Sequence, residues 1–467
     1  MSIRTREDTQ GRVRWEARSG QLEAALRRAL EGDVRADPYT RHLYAADASM
    51  YAVEPLLVAF PRSAEDVAAA VAIAGEHGVP VVSRGGGTSL AGQAAGGRGI
   101  VLDHSRHRDA IGEVDVAGRR VRVEPGVVQE ALNAAAKPHG LGFGPDTSTA
   151  NRATLGGMIG NNSSGSASIV HGTTIDLVLE LEVVLADGSR ATFGPGGGAA
   201  REGTLEHAIR HGMPGIVERH ARAIAEDYPK HWRQSGGYRL DRFAASGDLA
   251  QLVTGSEGTL VAITAATVKL IELPRATMFA VGHFDSLAAA IAATRHGLEL
   301  GAASIEMIDR TILELSRSKL EYRRLAGMLE GDPEALLFVS FNGDSEAETR
   351  AKLDALEAVW SEPYATLRAE TKADQDALTK VRKAGLGLLM AASHGAARPA
   401  AFVEDTAVAP ERLGEYVARF REVLDRHDLS AGFYGHCSVG CLHIRPFVDL
   451  TRPGGVETMK AVAEEIA

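Results

Sequence analysis

Residues Pro145 to Ser166 read P-D-T-S-T-A-N-R-A-T-L-G-G-M-I-G-N-N-S-S-G-S. The stretch is dense in Gly, Ser, Asn and Thr, yet Leu155, Met158 and Ile159 interrupt it at helical spacing. A flexible linker has no use for such apolar residues. Small residues beside apolar anchors suit backbone packed closely against a large rigid ligand. A second glycine-rich loop, Arg84-Gly85-Gly86-Gly87-Thr88-Ser89-Leu90-Ala91-Gly92, follows an apolar strand pattern and points the same way. Together the two stretches make a flavin the leading ligand.

The first loop fails the dinucleotide fingerprint, because Leu90 stands where the third glycine belongs. Gly87 and Gly92 have P-loop spacing, but Gln93-Ala94 replaces the Lys-Ser/Thr that would hold phosphate and magnesium. The pattern leads on to a strand rather than a helix. An anion here would therefore meet successive backbone N–H groups in a concave nest, with Arg84 adding charge. Taken alone, the loop also suits a tight turn with a surface arginine.

At 467 residues the chain is long enough for two or three domains. With 45% hydrophobic and 24% charged residues it reads as a soluble globular protein. A net charge of -10 argues against a general nucleic-acid binder. The cysteines, Cys437 and Cys441, make no disulfide framework, and two thiolates fall short of the four that an iron–sulfur cluster uses. Burial as small residues is the simpler reading. No apolar leader pattern and no run near the ~20 residues of a membrane span is visible, so a cytoplasmic location is expected. Peripheral membrane contact stays open.

Three regions are expected: an N-terminal arm over 1–52, a domain over 53–274 and another over 275–467. In the arm, Leu22, Leu26 and Leu30 form one helical stripe ended by Gly32. From Pro55 strands and helices alternate. Leu56 to Phe60 is a strand, Ser63 with Asp66 gives a capping-box pattern, and Gly78 stops that helix. Val79 to Ser83, Ile100 to Asp103, Val121 to Val123 and Leu179 to Ala186 read as strands, the last entering an Asp187-Gly188 turn. Past Pro274 the pattern becomes antiparallel α+β, with strands at Phe279–Phe284, Ile305–Ile308, Leu336–Phe341 and 401–404, and helices at 346–360 and 410–427. A stripe of Val456, Met459, Val462 and Ile466 runs to the last residue without a stop signal, so the chain is expected to end inside an element.

Six motifs in order carry a resemblance. They are R-G-G-G-T-S-L-A-G at Arg84, V-E-P-G-V at Val123, P-D-T-S-T at Pro145, T-L-G-G-M-I-G-N-N-S-S-G at Thr154, H-G-T-T at His171 and G-S-E-G-T-L at Gly255. Over about residues 55 to 273 the chain resembles the flavin-binding family of vanillyl-alcohol oxidase and p-cresol methylhydroxylase. The resemblance implies an α+β protein: a p-cresol methylhydroxylase-type FAD-binding domain, then an antiparallel α+β substrate (cap) domain. It implies FAD with its pyrophosphate on the first loop and its isoalloxazine near 145–165. Members that attach flavin covalently through this loop carry a histidine there. Thr88-Ser89 stands here instead, which implies non-covalent FAD. The implied contacts are Arg84, Gly85, Gly86, Gly87, Thr88, Ser89 and Gly92 on the first loop. Pro145, Asp146, Thr147, Thr154, Gly157, Asn161, Ser164 and Gly165 follow on the second stretch, and Gly172, Glu257, Gly258 and Ile263 beyond it. For Asp146, Asn161 and Glu257, turn caps and buried hydrogen bonds are the plainer alternative.

The other constellation is G-H-C-S-V-G-C-L-H-I-R-P, Gly435 to Pro446. Two histidines seven apart can share a metal if one lies on a strand and the other on its entering loop. Here the chain is similar to D-lactate dehydrogenases, D-2-hydroxyglutarate dehydrogenases and the glycolate oxidase flavin subunit, which carry G-H-x-G-D-G-N-L-H. That likeness implies that His436 and His443 bind a divalent metal, Zn or Mn, that holds the substrate hydroxyl, and that His443 belongs to the catalytic set. Ser438-Val439 replaces Gly-Asp and Cys441 replaces Asn, which puts the substrate in question. An E-H-G motif, and the iron–sulfur half of long bacterial fusions with its cluster, are expected beyond Ala467. Arg382 lies where the related enzymes place an arginine against the substrate carboxylate, and Arg445 is a second candidate. A surface salt bridge is the alternative for each. Phe402-Val403-Glu404-Asp405 matches the family's domain core, and its acids are given no catalytic role.

The implied activity is an FAD-dependent dehydrogenase taking a small D-2-hydroxy acid, of D-lactate or D-2-hydroxyglutarate type, to the 2-oxo acid. Electrons would pass to an iron–sulfur domain or another acceptor. Two alternatives stay open: a metal-independent FAD oxidase of another alcohol or amine, and a flavin electron-transfer module without its own substrate. A homo-oligomer is also open.

Overall fold

The computed structural model describes residues 20–234, 236–319, 327–403 and 405–467. The chain divides into two compact units. One comprises Met1–Ser163, Thr173–Tyr228 and Gly236–Glu272, the other Ser164–Gly172, Pro229–Ser235 and Leu273–Ala467.

In the first unit, β1 (Asp33–Arg35) and β2 (Leu57–Phe60) precede α1 (Ala64–His77), β3 (Val81–Arg84) and β4 (Ile100–Asp103). The sheet order is β1-β2-β4-β3, with β2 and β3 both parallel to β4. Every residue of β2 and β4 is buried, as expected of parallel strands covered on both faces. Ser63 accepts from the Asp66 amide to start α1, and Gly78, at φ 62°, ends it. The Asp66 carboxylate does not close a capping box. It accepts from Arg62 N, Glu31 N and Gly32 N, and so ties the preceding arm to the helix start. Residues 20–29 are helical, and Leu22, Leu26 and Leu30 are buried with Leu57, Val67 and Ile100 in one core.

The same unit holds β5 (Arg120–Val123), α2 (Leu155–Asn161), β6 (Val178–Val184), β7 (Arg190–Phe193) and β8 (Ala262–Lys269). These strands form an antiparallel sheet in the order β5-β8-β6-β7. The Asp187-Gly188 turn joins β6 to β7, with Gly188 at φ 81°. Leu155, Met158 and Ile159 project from α2 into this sheet's core. The apolar interruptions of the opening stretch are therefore the buried face of a short helix.

The second unit contains β9 (Ala276–Phe284), α3 (Leu287–Glu299), β10 (Ser304–Asp309), α4 (Arg310–Ser318), β11 (Ala335–Gly343), α5 (Glu346–Val359), β12 (Ala365–Ala369), α6 (Lys372–Met390), β13 (Arg398–Pro399), α7 (Leu413–Arg426), β14 (Ala431–His436), β15 (Cys441–Val448) and α8 (Gly455–Ile466). Its seven strands form one antiparallel sheet ordered β12-β9-β11-β10-β14-β15-β13. Period-two alternation sends Met278 and Ala280 of β9 to a core with α3, α5 and α7. Phe279 and Val281 go to the other face, against α4 and α6. Of the C-terminal stripe, Val462 is buried but Val456 is exposed.

The strand expected over 401–404 does not form. The ladder from β13 onto β15 ends with a hydrogen bond from Ala400 N to the Pro446 carbonyl, and Ala401 to Val403 continue without strand pairing, Val403 being buried in the core of this sheet. Glu404 lies outside the described residues. No helix among the described residues is long and apolar enough to cross a membrane.

Candidate active site

In the first unit the two glycine-rich stretches meet backbone to backbone. A Cβ on Gly85 would fall 1.8 Å from Thr154 Oγ1, and one on Gly86 would fall 2.3 Å from the Arg152 carbonyl oxygen. Gly87 and Gly92 are left-handed at φ 63° and 89°, and Thr88 and Ser89 lie half-buried between them. Arg84 does not offer a loose positive charge to the loop. Its guanidinium donates to the carbonyls of Tyr44, Ala46 and Ala94 and lies 5.1 Å from the Tyr44 ring centroid, clamping the loop to the preceding segment.

Farther along, Gln129 Nε2 donates to the Pro145 carbonyl, and Thr147 Oγ1 donates to Gln129 Oε1 at 2.7 Å. Asp146 is half-buried between them. Asn161 Nδ2 donates to Glu257 Oε1 at 2.9 Å, and Gln93 Nε2 reaches the same oxygen at 3.5 Å. Three separated motifs thus converge on Glu257, whose backbone is left-handed at φ 53° and whose carboxyl pKa burial raises. Gly258 follows at φ 71°, while Gly157 is exposed on α2. Ile263 differs from the rest: it is a core residue of β8. Ser164, Gly165 and Gly172 group with the second unit, where Gly165 N donates to Ser168 Oγ at 2.9 Å and Gly172 N to the Ser168 carbonyl. The buried hydroxyls of Thr154 and Ser164 have no hydrogen-bond partner among the described residues. A left-handed glycine loop beside an unsatisfied hydroxyl fits a phosphate-bearing cofactor.

Gly86→Ala tests that cradle. With a backbone carbonyl as the obstacle, overpacking is expected to cost about 1–3 kcal/mol. The flavin-to-protein absorbance ratio after desalting should fall together with Tm. An unchanged ratio and Tm would show that the loop accepts a Cβ.

The second cluster follows from strand alternation. On β14 and β15, Phe433, Leu442 and Ile444 face the core with α3 and α7. Tyr434, His436, Cys441, His443 and Arg445 alternate with them and share the opposite face. The register pairs Tyr434 with His443 and His436 with Cys441, so the histidines are diagonal neighbours on two strands. The expectation that one would sit on an entering loop does not hold. His443 Nε2 lies 3.3 Å from His436 Nε2.

The neighbouring β10 places Glu306 directly opposite His436. Glu306 is buried; its Oε1 lies 2.7 Å from His436 Nδ1, and its Oε2 accepts from Arg382 Nη1 at 2.8 Å. Burial pushes the Glu306 pKa upward, but His436 and Arg382 outweigh it and hold the carboxyl below its ordinary value. His443 Nδ1 lies 2.9 Å from Asp405 Oδ1. Asp405 takes a left-handed backbone at φ 58°, and its carboxyl stays well below the usual range because the His443 bond and charge, then Arg233, overcome burial. Arg382 is thus a buried partner of Glu306 rather than half of a surface salt bridge. Arg445 is fully buried with Nη2 3.3 Å from the Tyr434 hydroxyl. Cys437 and Cys441 are buried and not joined in a disulfide, and burial raises the Cys437 thiol pKa, which makes it unreactive. Glu306, Asp405 and Arg233 carried no site role in the sequence reading.

Among the described residues no group of three or more His, Cys, Asp or Glu side chains is placed to hold a metal ion. The histidine pair nevertheless fits two ligands of one. Two nitrogens at about 2.0–2.1 Å from a tetrahedral metal stand about 3.3–3.4 Å apart. Metal-bound histidines also usually direct the other ring nitrogen at a carboxylate, as both do here.

Known families match both units. An FAD binding domain model covers residues 55–194, and the C-terminal domain model of FAD linked oxidases covers residues 273–467. The D-2-hydroxyglutarate dehydrogenase of Pseudomonas putida is 36% identical over 469 residues, taking in 96% of this chain and 46% of that protein. The D-lactate dehydrogenase of Archaeoglobus fulgidus is 31% identical over 403 residues, 85% of this chain and 76% of the relative. Among solved structures, p-cresol methylhydroxylase with substrate bound superposes with a TM-score of 0.69 at 14% identity, covering 96% of this chain and 87% of that one. The chain belongs to the FAD-linked oxidase family, with the α+β two-domain organisation that the motifs implied and a fold shared with p-cresol methylhydroxylase. The matching FAD-binding domain supports FAD as the cofactor. The chain spans about half the length of the D-2-hydroxyglutarate dehydrogenases it matches, 46% for that of Pseudomonas putida.

Proposed function

We propose that this chain is the flavin-bearing part of an FAD-dependent dehydrogenase that oxidises a D-2-hydroxy acid, of D-2-hydroxyglutarate or D-lactate type, to the 2-oxo acid. The observation that carries the reading is the pair of histidine Nε2 atoms 3.3 Å apart, each ring backed by a carboxylate. Relatives named for those two substrates lend it support. FAD, when bound, accepts the substrate's α-hydrogen as hydride. A divalent metal such as Zn or Mn, held by His436 and His443, would polarise the substrate hydroxyl.

The protein's own part is positional. Glu306 and Asp405 engage the Nδ1 atoms of the two imidazoles, which leaves the Nε2 atoms as the ones that would hold the metal. Arg382, anchored on Glu306, would present its positive charge to the substrate carboxylate. Buried Arg445 adds a second fixed positive charge beside Tyr434. The hydroxyl proton would pass to a base, and bound FAD would supply the route by which electrons reach an iron–sulfur domain or another acceptor. A metal-independent oxidase or a pure electron-transfer module would have no use for two carboxylate-backed histidines. The reading is tested by mixing the full-length flavoprotein anaerobically with D-lactate and D-2-hydroxyglutarate. Bleaching of the flavin absorbance by either is expected. The reading is sunk if neither these nor other D-2-hydroxy acids reduce the flavin.

A further inference from the structure

The histidine pair sits between two arginine–carboxylate pairs. On one side Arg382 Nη1 donates to Glu306, which holds His436. On the other, Asp405 holds His443, and Arg233 Nη2 lies 3.4 Å from Asp405 Oδ2. Arg233 comes from residues 229–235, a segment remote in sequence that groups with the second unit. Its side chain is only 9% exposed, beside both Asp405 and Cys441. Its Nε is buried without an acceptor among the described residues, so this is not a closed, self-satisfied salt bridge.

We infer that Arg233 is a positioning residue for His443, completing a relay Arg233–Asp405–His443 that mirrors Arg382–Glu306–His436. The inference rests on the proposed reading of the histidine pair. Asp405 can hold His443 in the Nδ1–H form only while it stays a carboxylate and stays in place. Its left-handed backbone does not by itself aim the side chain. A buried guanidinium fixes both its charge and its direction. Two such relays would hold the two Nε2 atoms at their 3.3 Å separation, which neither histidine achieves alone.

The test compares Zn²⁺ affinity, read by competition with a chelator, for the full-length flavoprotein and its variants. Arg233→Met should weaken Zn²⁺ roughly 10- to 100-fold, the usual effect of removing an outer partner of a metal ligand. Arg233→Lys, which keeps the charge, should recover part of the loss. Both should keep their flavin content, with a fall in Tm smaller than that of Glu306→Ala because the Asp405 left behind is half exposed to water. Arg233→Met combined with Asp405→Asn should be no worse than Asp405→Asn alone, because both act through one path. Zn²⁺ affinity unchanged in Arg233→Met, or additive losses in the double variant, would overturn the inference.

If the parent protein takes up no Zn²⁺, the metal reading of the site fails instead. The relay is then judged from ¹⁵N-histidine NMR, with the His443 signals assigned through His443→Gln. The relay requires Nδ1–H in the parent and an altered tautomer mixture in Arg233→Met. Identical His443 signals in the two would overturn it.

Discussion

His443→Ala is expected to slow flavin reduction by a D-2-hydroxy acid by more than the roughly 10- to 100-fold that loss of even an outer partner of a metal ligand costs, while FAD stays bound. The separation of effects follows from the architecture. His443 stands on β15 of the second unit, whereas the glycine loops that fit the phosphates belong to the first. Removing the imidazole also leaves half-exposed Asp405 beside Arg233, where water and the guanidinium still balance its charge, so the fold should survive. Rapid mixing under anaerobic conditions reads the rate, and the flavin spectrum reads the cofactor. A rate within threefold of the parent would remove His443 from the chemistry. Loss of FAD together with activity would make the residue architectural.

Much of this site was legible before the fold was known, and what was not has a common cause. The alternation Tyr434-Gly435-His436 and Cys441-Leu442-His443-Ile444-Arg445 already puts the polar residues on one strand face and the apolar ones on the other. The glycines of 84–92 and 154–165 likewise announce close backbone approach, and the Gly85–Thr154 and Gly86–Arg152 contacts are that approach. Glu306 left a weaker signal, a lone carboxylate inside the apolar run Ile305-Glu306-Met307-Ile308. An acid there must find a partner, but the partner is His436, 130 residues later, reached only through the pairing of β10 with β14. Arg233 left no signal at all, because its place depends on a segment whose Asp405 partner is 172 residues away. Arg84 shows partners that its local sequence does not reveal. A basic residue at a phosphate-like loop suggests an anion contact, and its guanidinium also engages the Ala94 carbonyl and those of residues 44 and 46, the latter two foretold by no local pattern. Local alternation and backbone sterics are written in the sequence; charge pairing across distant strands is written in the topology.

The largest effect on stability is expected from Glu306→Ala. Glu306 accepts from Arg382 and faces His436 at the centre of the seven-stranded sheet, where water cannot replace it. Deleting one member of a buried ion pair leaves the other charged and desolvated, which costs about 3–5 kcal/mol. For a unit of this size that is a fall in Tm on the order of 10 °C. Because the folded carboxyl is held below its ordinary value of 4.5, its contribution is fully present above that pH and is lost as the pH drops through the lower folded value. The gap in Tm between parent and variant should therefore be widest near neutrality and shrink in acid. Glu306→Gln separates packing from charge: its amide oxygen can still face His436 Nδ1, so most of the shape survives while the charge opposite Arg382 does not. Thermal unfolding of the three proteins across pH reads all of this. If Glu306→Ala melts within a degree or two of the parent at neutral pH, Arg382 and His436 must find other partners on folding, and the arginine–carboxylate–histidine arrangement does not anchor this face of the sheet.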